Sequence, residues 1–322
     1  MGTVRFLLRR VLSGILVVWV VATLTFLLFF KAVPPMAVAR LLAGKAARPP
    51  QLEAIARTHG LNDPFYVQYG RFIGRLLHGD LGYSYYSQEP VTTIIKQGLP
   101  ATLSLVIGGV ILWLIVGISV GILSATRPRT LFDRTATMGV LAGVSAPTFV
   151  VGQLLILIVF LPLSQHGFLW ITTGYNPISE GLSPWAGPML LPWITLAIVQ
   201  AAVYTRLSRG SLLDTLGEDF IRTARAKGLT ERRVLYRHAI RAAMTPVVSQ
   251  LGVDVGTLLG GVVVVEQVFG LQGVGQTSVQ AISQGDGQVV LGFVILATCF
   301  VVAANLVVDM VYAALDPRVR II

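Results

Sequence analysis

The chain has 322 residues, of which 54% are hydrophobic and only 12% are charged. Soluble domains carry roughly 25% charged residues, so this composition excludes a large soluble core and describes an integral membrane protein. The net charge of +10 does not imply nucleic acid, because the basic residues follow the edges of apolar runs, and the one cysteine, Cys299, lies inside such a run, which excludes a disulfide framework or thiolate metal cluster.

Arg5, Arg9 and Arg10 precede an apolar run at 11–30. A signal peptide has an apolar core of about 7–15 residues. This run is longer, so 1–30 reads as a cytoplasmic N-terminus and a retained first span. Residues 31–98 form a polar excursion, expected outside the cell. Pro49-Pro50 opens a short helix that stops near Gly60. Asp63-Pro64 then reads as an N-cap followed by proline at the first helical position. Phe65, Tyr69, Phe72, Ile73 and Leu76 recur at helical spacing up to Gly79, an amphipathic helix for the membrane surface or the face of a span.

The remaining chain, 99–322, holds apolar runs at 101–124, 136–162, 189–207, 245–267 and 289–313. Each is long enough for a hydrocarbon core of roughly 30 Å. The expected fold is therefore all-α and polytopic, with six transmembrane helices. Gly117 and Gly121, Gly139 and Gly143, and Gly256 and Gly260 are small-residue pairs at four-residue spacing, which allow close helix approach in lipid. Pro147 is expected to kink the third span. Gly117-Ile118-Ser119-Val120-Gly121 also has the spacing of a hydrolase elbow. It lies inside a span with no strand before it, so it is read as packing. The outward loop 168–188 carries Trp170, Tyr175 and Trp185, as interfacial aromatics would.

With the N-terminus inside, the segments assigned to the cytoplasm hold 3, 3, 9 and 2 basic residues, whereas outward loops 163–188 and 268–288 hold none. That asymmetry is what orientation by positive charge requires. Asp254, Glu266 and Asp309 are the acids inside spans, and such residues are functional candidates by default. Asp254 is the deepest. It is read either as lining a path or pairing with a partner subunit, or as half of a buried hydrogen bond, and Glu266 is a weaker candidate of the same kind.

The nine basic residues fall in the cytoplasmic loop 206–244. Within it, Asp219 can cap a short helix, Gly228 sits where a helix stops in the left-handed conformation, and Thr230 can cap a second helix that runs to Pro246. Ile221, Ala224 and Gly228 share one helical face at three- and four-residue spacing. They form a small knob ringed by Arg222, Arg225 and Lys227, suited to a partner's groove. A DNA-reading helix-turn-helix is disfavoured by the flanking spans, and a plain solvated loop is the bland alternative.

The run Phe220-Ile-Arg-Thr-Ala-Arg-Ala-Lys-Gly228, followed by His238 and Pro246, resembles the cytoplasmic coupling loop of ABC importer permeases. The wording is closest to the B-type permease of the dipeptide and oligopeptide importers. Arg222-Thr223-Ala224 stands where the general pattern has Glu-Ala-Ala, a variant usual in the peptide branch. The stretches 61–91, 261–275 and 305–320 resemble the same family. The resemblance implies a permease with the type I ABC importer fold, in which Ile221, Arg222, Ala224, Arg225, Lys227, Gly228 and His238 couple to an ATPase. It also implies a second homologous permease forming a heterodimer, two ATP-binding cassette subunits and an extracytoplasmic substrate-binding protein. The mechanism it implies is alternating access.

No phosphate-binding Gly-x-x-x-x-Gly-Lys-Ser/Thr loop, metal-ligand spacing or catalytic constellation is present in the sequence. The chain is therefore expected to hold no cofactor, with ATP and magnesium on the partner subunits, and to be no enzyme. Import of nickel, glutathione or another small solute is the alternative within the class. An ion-coupled secondary transporter is disfavoured by the scarcity of intramembrane acids and the lack of an inverted repeat, and a membrane-embedded enzyme by the lack of a catalytic cluster.

The charge asymmetry makes an orientation prediction. In a Cys299→Ser background, single cysteines placed in 206–241 should resist an impermeant maleimide in intact cells, and cysteines in 163–188 should react. Outside labelling of the 206–241 positions would overturn the six-span topology.

Overall fold

The computed structural model describes residues 2–43 and 47–315. The surroundings of Gly256, the Asp309 side chain and the tail motif at 316–320 lie outside that description. In chain order the helices are α1 (Gly2–Ala32), α2 (Pro35–Ala43), α3 (Pro49–Thr58), α4 (Phe65–Leu77), α5 (Val91–Thr126), α6 (Leu131–Ser145), α7 (Thr148–Leu155), α8 (Leu161–Gln165), α9 (Leu182–Leu216), α10 (Asp219–Ala226), α11 (Glu231–Arg233), α12 (Ile240–Phe269), α13 (Val274–Gln284) and α14 (Gly287–Leu315). The protein is all-α. Among the described residues, five stretches are long and apolar enough to cross a membrane, at 8–30, 91–126, 148–165, 182–216 and 287–308. The sixth span lies in α12, whose C-terminal part, Gly260–Phe269, is apolar.

The third span is broken rather than kinked. α6 ends at Ser145, Ala146 is extended, and α7 starts after Pro147. Proline disfavours the helical conformation of the residue before it, and that residue is where the helix stops. Pro246, in contrast, does not end a helix. The chain runs from α11 through a π-helical segment, Val234–Ala239, into α12 and past the proline. Ala242 and Pro246 are both exposed, so the carbonyl that proline leaves without a donor faces outward, not into the packed side.

The contacts divide the chain into two units, one of residues 4–100 and 273–303 and the other of 101–272 with the chain ends. In the first, the apolar face of α4 lies against spans. Phe72, with Tyr69, Ile73 and Leu76 beside it, packs on Ala22 of α1 and on Leu291 and Ile295 of α14. Phe26 stacks on Phe72 at 4.9 Å between ring centroids, and the Thr23 and Tyr69 hydroxyls are 2.8 Å apart. Asp63 is not the cap of α4. Pro64 holds the cap position, and the Asp63 carboxylate instead pairs with Arg71 at 2.7 Å. Asp286, just before α14, accepts from the Ser84 hydroxyl at 2.5 Å and from the Tyr86 N–H at 3.1 Å. That buried carboxylate ties the segment before α5 to the last span.

In the second unit α9 is the central helix. Gly117 and Gly121 of α5 meet it so closely that a Cβ would come within 2.6 Å of Tyr204 Cβ and 2.8 Å of the Thr205 carbonyl oxygen, respectively. Gly143 of α6 is just as tight, with 2.9 Å to both Ala202 Cβ and the Ile198 carbonyl oxygen. Gly139 and Gly260 face open space. Of the spacing-derived glycine pairs, the first therefore works as a pair and the second through one member. Trp185 is a packing residue rather than an interfacial one: it donates to Ser104 Oγ at 3.0 Å and meets Trp193 edge-on at 5.1 Å.

These crossings predict a split among glycines. Gly117→Val and Gly121→Val should each lower the thermal midpoint of the purified protein, in line with an overpacking cost of about 1–3 kcal/mol. Gly139→Ala should leave it unchanged or raise it. Equal midpoints for all three variants would show that these crossings do not limit stability.

Candidate functional site

α10 is eight residues long and begins after Glu218, which sits in the cap position without a side-chain hydrogen bond. Asp219 is thus the first residue of the helix rather than its cap, and it pairs with Arg222 at 3.3 Å. Thr230 precedes α11 and likewise makes no side-chain cap bond. Gly228 adopts φ +76°, as the left-handed stop requires. Its N–H donates to the Arg225 carbonyl at 2.9 Å, which closes the turn. Arg225 then reaches across that turn to Glu231, with Nε to Oε1 at 2.8 Å and Nη2 to Oε2 at 3.3 Å. Both partners are exposed, so this fork contributes about 0–1 kcal/mol and shapes the turn more than it stabilises it.

The face that the spacing assigned to a partner is turned into this chain. Ile221 is 0% exposed and Ala224 is 7% exposed. They pack with Ala125 of α5, Leu212 of α9, and Val234, Ala239 and Ala243 from the segment leading into α12. Ala224 is small because it faces this chain's own cluster. The outward face is Phe220, Thr223 and Lys227, at i, i+3 and i+7, all exposed and continued by Gly228. Phe220 is 45% exposed, a large aromatic with no apolar cover of its own. Arg222 and Arg225 lie on the exposed sides of the helix, and His238 sits half-buried in the π-helical segment.

The spans carry two buried acids in this unit, and both have partners within the chain. Asp254 accepts from Tyr204 of α9, Oη to Oδ2 at 2.8 Å, and from Gln250 Nε2 at 2.8 Å. Tyr204 is fully buried and lies 6.3 Å from Trp113 between ring centroids. Glu266 is 0% exposed and accepts from Thr102 Oγ1 of α5 at 2.6 Å. A charge at the centre of a span costs roughly 2.5–3.5 kcal/mol on insertion scales, and donors held at these distances offset part of it. Both acids therefore read first as ties between spans.

One cluster escaped the sequence reading. Asp133, at the start of α6, is held by a two-pronged contact from Arg209 of α9, with Nε to Oδ1 at 2.7 Å and Nη2 to Oδ2 at 2.9 Å. Ser124 of α5 donates to the same Oδ1, and the Arg129 N–H donates to Oδ2 at 2.9 Å. The Arg209 guanidinium first, then the Ser124 hydroxyl and the Arg129 N–H, hold the Asp133 carboxyl well below the usual carboxylate range. A depressed value means the interaction is complete above the ordinary carboxylate pKa and is lost only as pH falls through the lowered one. The signal was present in the sequence. Asp133 is the only acid between Glu89 and Glu180, and Arg209 is one of two arginines in a helix that otherwise reads as a span.

Comparisons with known proteins follow the same geography. The profile of the binding-protein-dependent transport system inner membrane component matches residues 117–321, and that of its N-terminal region matches residues 3–106. The chain is 35% identical to a probable peptide ABC transporter permease of Sinorhizobium fredii, over 98% of this chain and 99% of that one. It is 36% identical to the dipeptide transport system permease of Escherichia coli, over 98% of each chain. It is 34% identical to an oligopeptide transport system permease of Bacillus subtilis, over 98% of this chain and 99% of that one.

The Asp254 geometry yields a stability prediction. Asp254→Leu leaves the Tyr204 hydroxyl buried without an acceptor, which costs about 1–3 kcal/mol. The thermal midpoint should fall, and adding Tyr204→Phe should recover most of the loss. An unchanged midpoint in the single variant would show that the Tyr204–Asp254 bond does not hold α9 to α12.

Proposed function

The chain belongs to the family of binding-protein-dependent transport system inner membrane components, and from that membership we propose that it is the B-type permease of an ATP-driven peptide importer. It is a multi-pass subunit of the inner membrane, and its family works with ATPases and a substrate-binding protein. The peptide cargo is supported by the relatives named for peptides, dipeptides and oligopeptides, each aligned over nearly the whole chain. The finer assembly is a heterodimer with a second homologous permease, served by two cytoplasmic ATPases that hold the ATP and magnesium. An extracytoplasmic binding protein delivers the substrate. Both termini lie in the cytoplasm, as the basic residues argue, and this chain itself catalyses nothing.

The observation that carries the coupling role is the inverted face of α10. Ile221 and Ala224 fasten the helix to its own chain, which leaves Phe220, Thr223 and Lys227 as the surface offered to an ATPase. Phe220 is the anchor of that surface, since large exposed aromatics are the residues that carry interface energy. Arg222 and Arg225 frame it. When the ATPases close on ATP, the docked helix is displaced with them, and the spans behind it change the side to which they are open. Asp254 and Glu266 act in this reading by holding spans together along the path.

The test is co-purification of the ATPase subunits and uptake of a labelled dipeptide, with nickel and glutathione as comparison cargoes. Phe220→Ala and Thr223→Trp should each reduce ATPase recovery about tenfold, equivalent to about 1.4 kcal/mol, and abolish uptake without lowering the thermal midpoint. Ala224→Trp should lower the midpoint, because it overfills the chain's own cluster. Full ATPase recovery in the first two variants would remove α10 as the docking surface, and uptake of nickel or glutathione without peptide would overturn the cargo.

A further inference from the structure

The coupling helix sits on an apolar cluster built from α5, α9, α10 and the start of α12. α6 contributes no residue to that cluster among those described, yet it begins beside it. Its attachment is polar. Ser124 and Ala125 are adjacent on α5: Ala125 enters the cluster and Ser124 bonds Asp133. Arg209 and Leu212 lie one turn apart on α9: Leu212 enters the cluster and Arg209 forks onto Asp133. Two helices therefore present their apolar side to α10 and their polar side to α6.

α6 packs along α9. At Gly143 the two helices are jammed together, with no room for a Cβ between Gly143 and Ala202. An open groove of about 280 Å³ runs beside this crossing, from Val144 and Ser145 past Thr137 on α6 to Ser124 and Arg209. At the start of α6 the helices also meet through the Asp133 clamp. Asp133 and Gly143 are ten residues apart, about 15 Å along the axis. α6 thus meets α9 both at the Asp133 clamp and at the Gly143 crossing, with the groove open along one side. Its far end is the break at Ala146-Pro147, where no helical hydrogen bonding carries rigidity onward.

We propose that the Asp133–Arg209–Ser124 clamp is the positioning device through which displacement of the coupling helix enters the third span, with the Gly143 crossing as its fulcrum. This rests on the importer reading of α10. The ion pair suits the task because it has fixed two-pronged geometry and is largely shielded, Asp133 being 5% exposed. The groove beside the crossing leaves that side of α6 free of packing against α9. Loss of the clamp leaves α10 seated on its apolar cluster, so docking and drive are separable.

The experiment uses the assembled importer in proteoliposomes, with Asp133→Asn, Arg209→Lys and the charge exchange Asp133→Arg with Arg209→Asp. ATPase recovery should match the unmodified complex in all three. Dipeptide uptake per ATP hydrolysed should fall at least about fivefold in the two single variants, within the ordinary range of coupling between sites, and recover in part in the exchange. Spin labels at Thr135→Cys on α6 and Glu218→Cys at the cap of α10, in a Cys299→Ser background, should keep a constant separation through the ATP cycle. In Asp133→Asn that separation should vary with nucleotide. Unaltered uptake per ATP in Asp133→Asn overturns the proposal. So does a single variant that loses ATPase recovery and thermal stability together with no rescue by the exchange, since the clamp would then be structural only. Failure of the unmodified chain to recruit an ATPase would instead sink the importer reading and this inference with it.

Discussion

The absence of side chains where helices cross α9 is the constraint on which the 101–272 unit depends. In lipid, neighbouring helices gain little from leaving the solvent, because acyl chains are as apolar as leucine. Association then rests on close packing and on hydrogen bonds between helices. Gly117, Gly121 and Gly143 let α5 and α6 approach α9 until backbone atoms touch. At that separation polar groups of neighbouring spans come within bonding distance, as the Ser208 hydroxyl of α9 does with the Gly117 carbonyl of α5. An individual interhelical hydrogen bond in a membrane averages only about 0.6 kcal/mol. The glycine crossings therefore position the polar ties, and the ties select the register.

The same hierarchy governs the loop that carries α10, with water in place of lipid. An isolated eight-residue helix is far below the length that is stable in water. α10 exists because Ile221 and Ala224 give it an apolar footing on Ala125, Leu212 and Val234. That footing orders the helix before any partner arrives. A surface ordered in advance loses less conformational entropy on binding than one that folds at the interface. The Gly228 turn and the Arg225–Glu231 fork add geometry at little energetic gain, since both charges are exposed. The outward row of Phe220, Thr223 and Lys227 is thus a consequence of what lies beneath it.

The legibility of the sequence follows from which of these forces leaves a pattern. Spans were readable because an apolar run is a strong one-dimensional signal. Pro147 marked where the third span departs from a continuous helix, because proline acts on its immediate neighbour, although the departure is a break and not the expected kink. Helix lengths were not: α5 and α9, at 36 and 35 residues, extend well past their apolar runs, since a polar helix outside the bilayer has no hydropathy mark. α2 and α13, short helices in the predicted loops, went unseen for the same reason. Spacing put Ile221 and Ala224 on one face but had no means of saying which way that face turns. Small apolar residues suit a partner's groove and a chain's own cluster equally well. The distinguishing residues were Leu212 and Val234, apolar positions in polar surroundings on either side of the loop, which require something apolar to cover them.

Asp133 shows why charge pairing is the hardest contact to read from a chain. Its guanidinium partner is 76 residues away, and its hydroxyl partner is nine residues away across a turn. No period links the three. What the sequence does contain is an isolated acid in a loop whose other charges, Arg127, Arg129 and Arg134, are all basic. Orientation by positive charge opposes an acid there only weakly, because acids contribute little to topology. An acid in that position is accordingly free to serve a contact. Arg209 sits inside the helix that also supplies the apolar floor of α10, so the pairing joins the start of the third span to the one helix against which both α5 and α6 are packed. A carboxylate with four donors cannot slide along its partner as an apolar ridge can. The clamp therefore transmits direction, whereas the apolar cluster and the glycine crossings transmit only proximity.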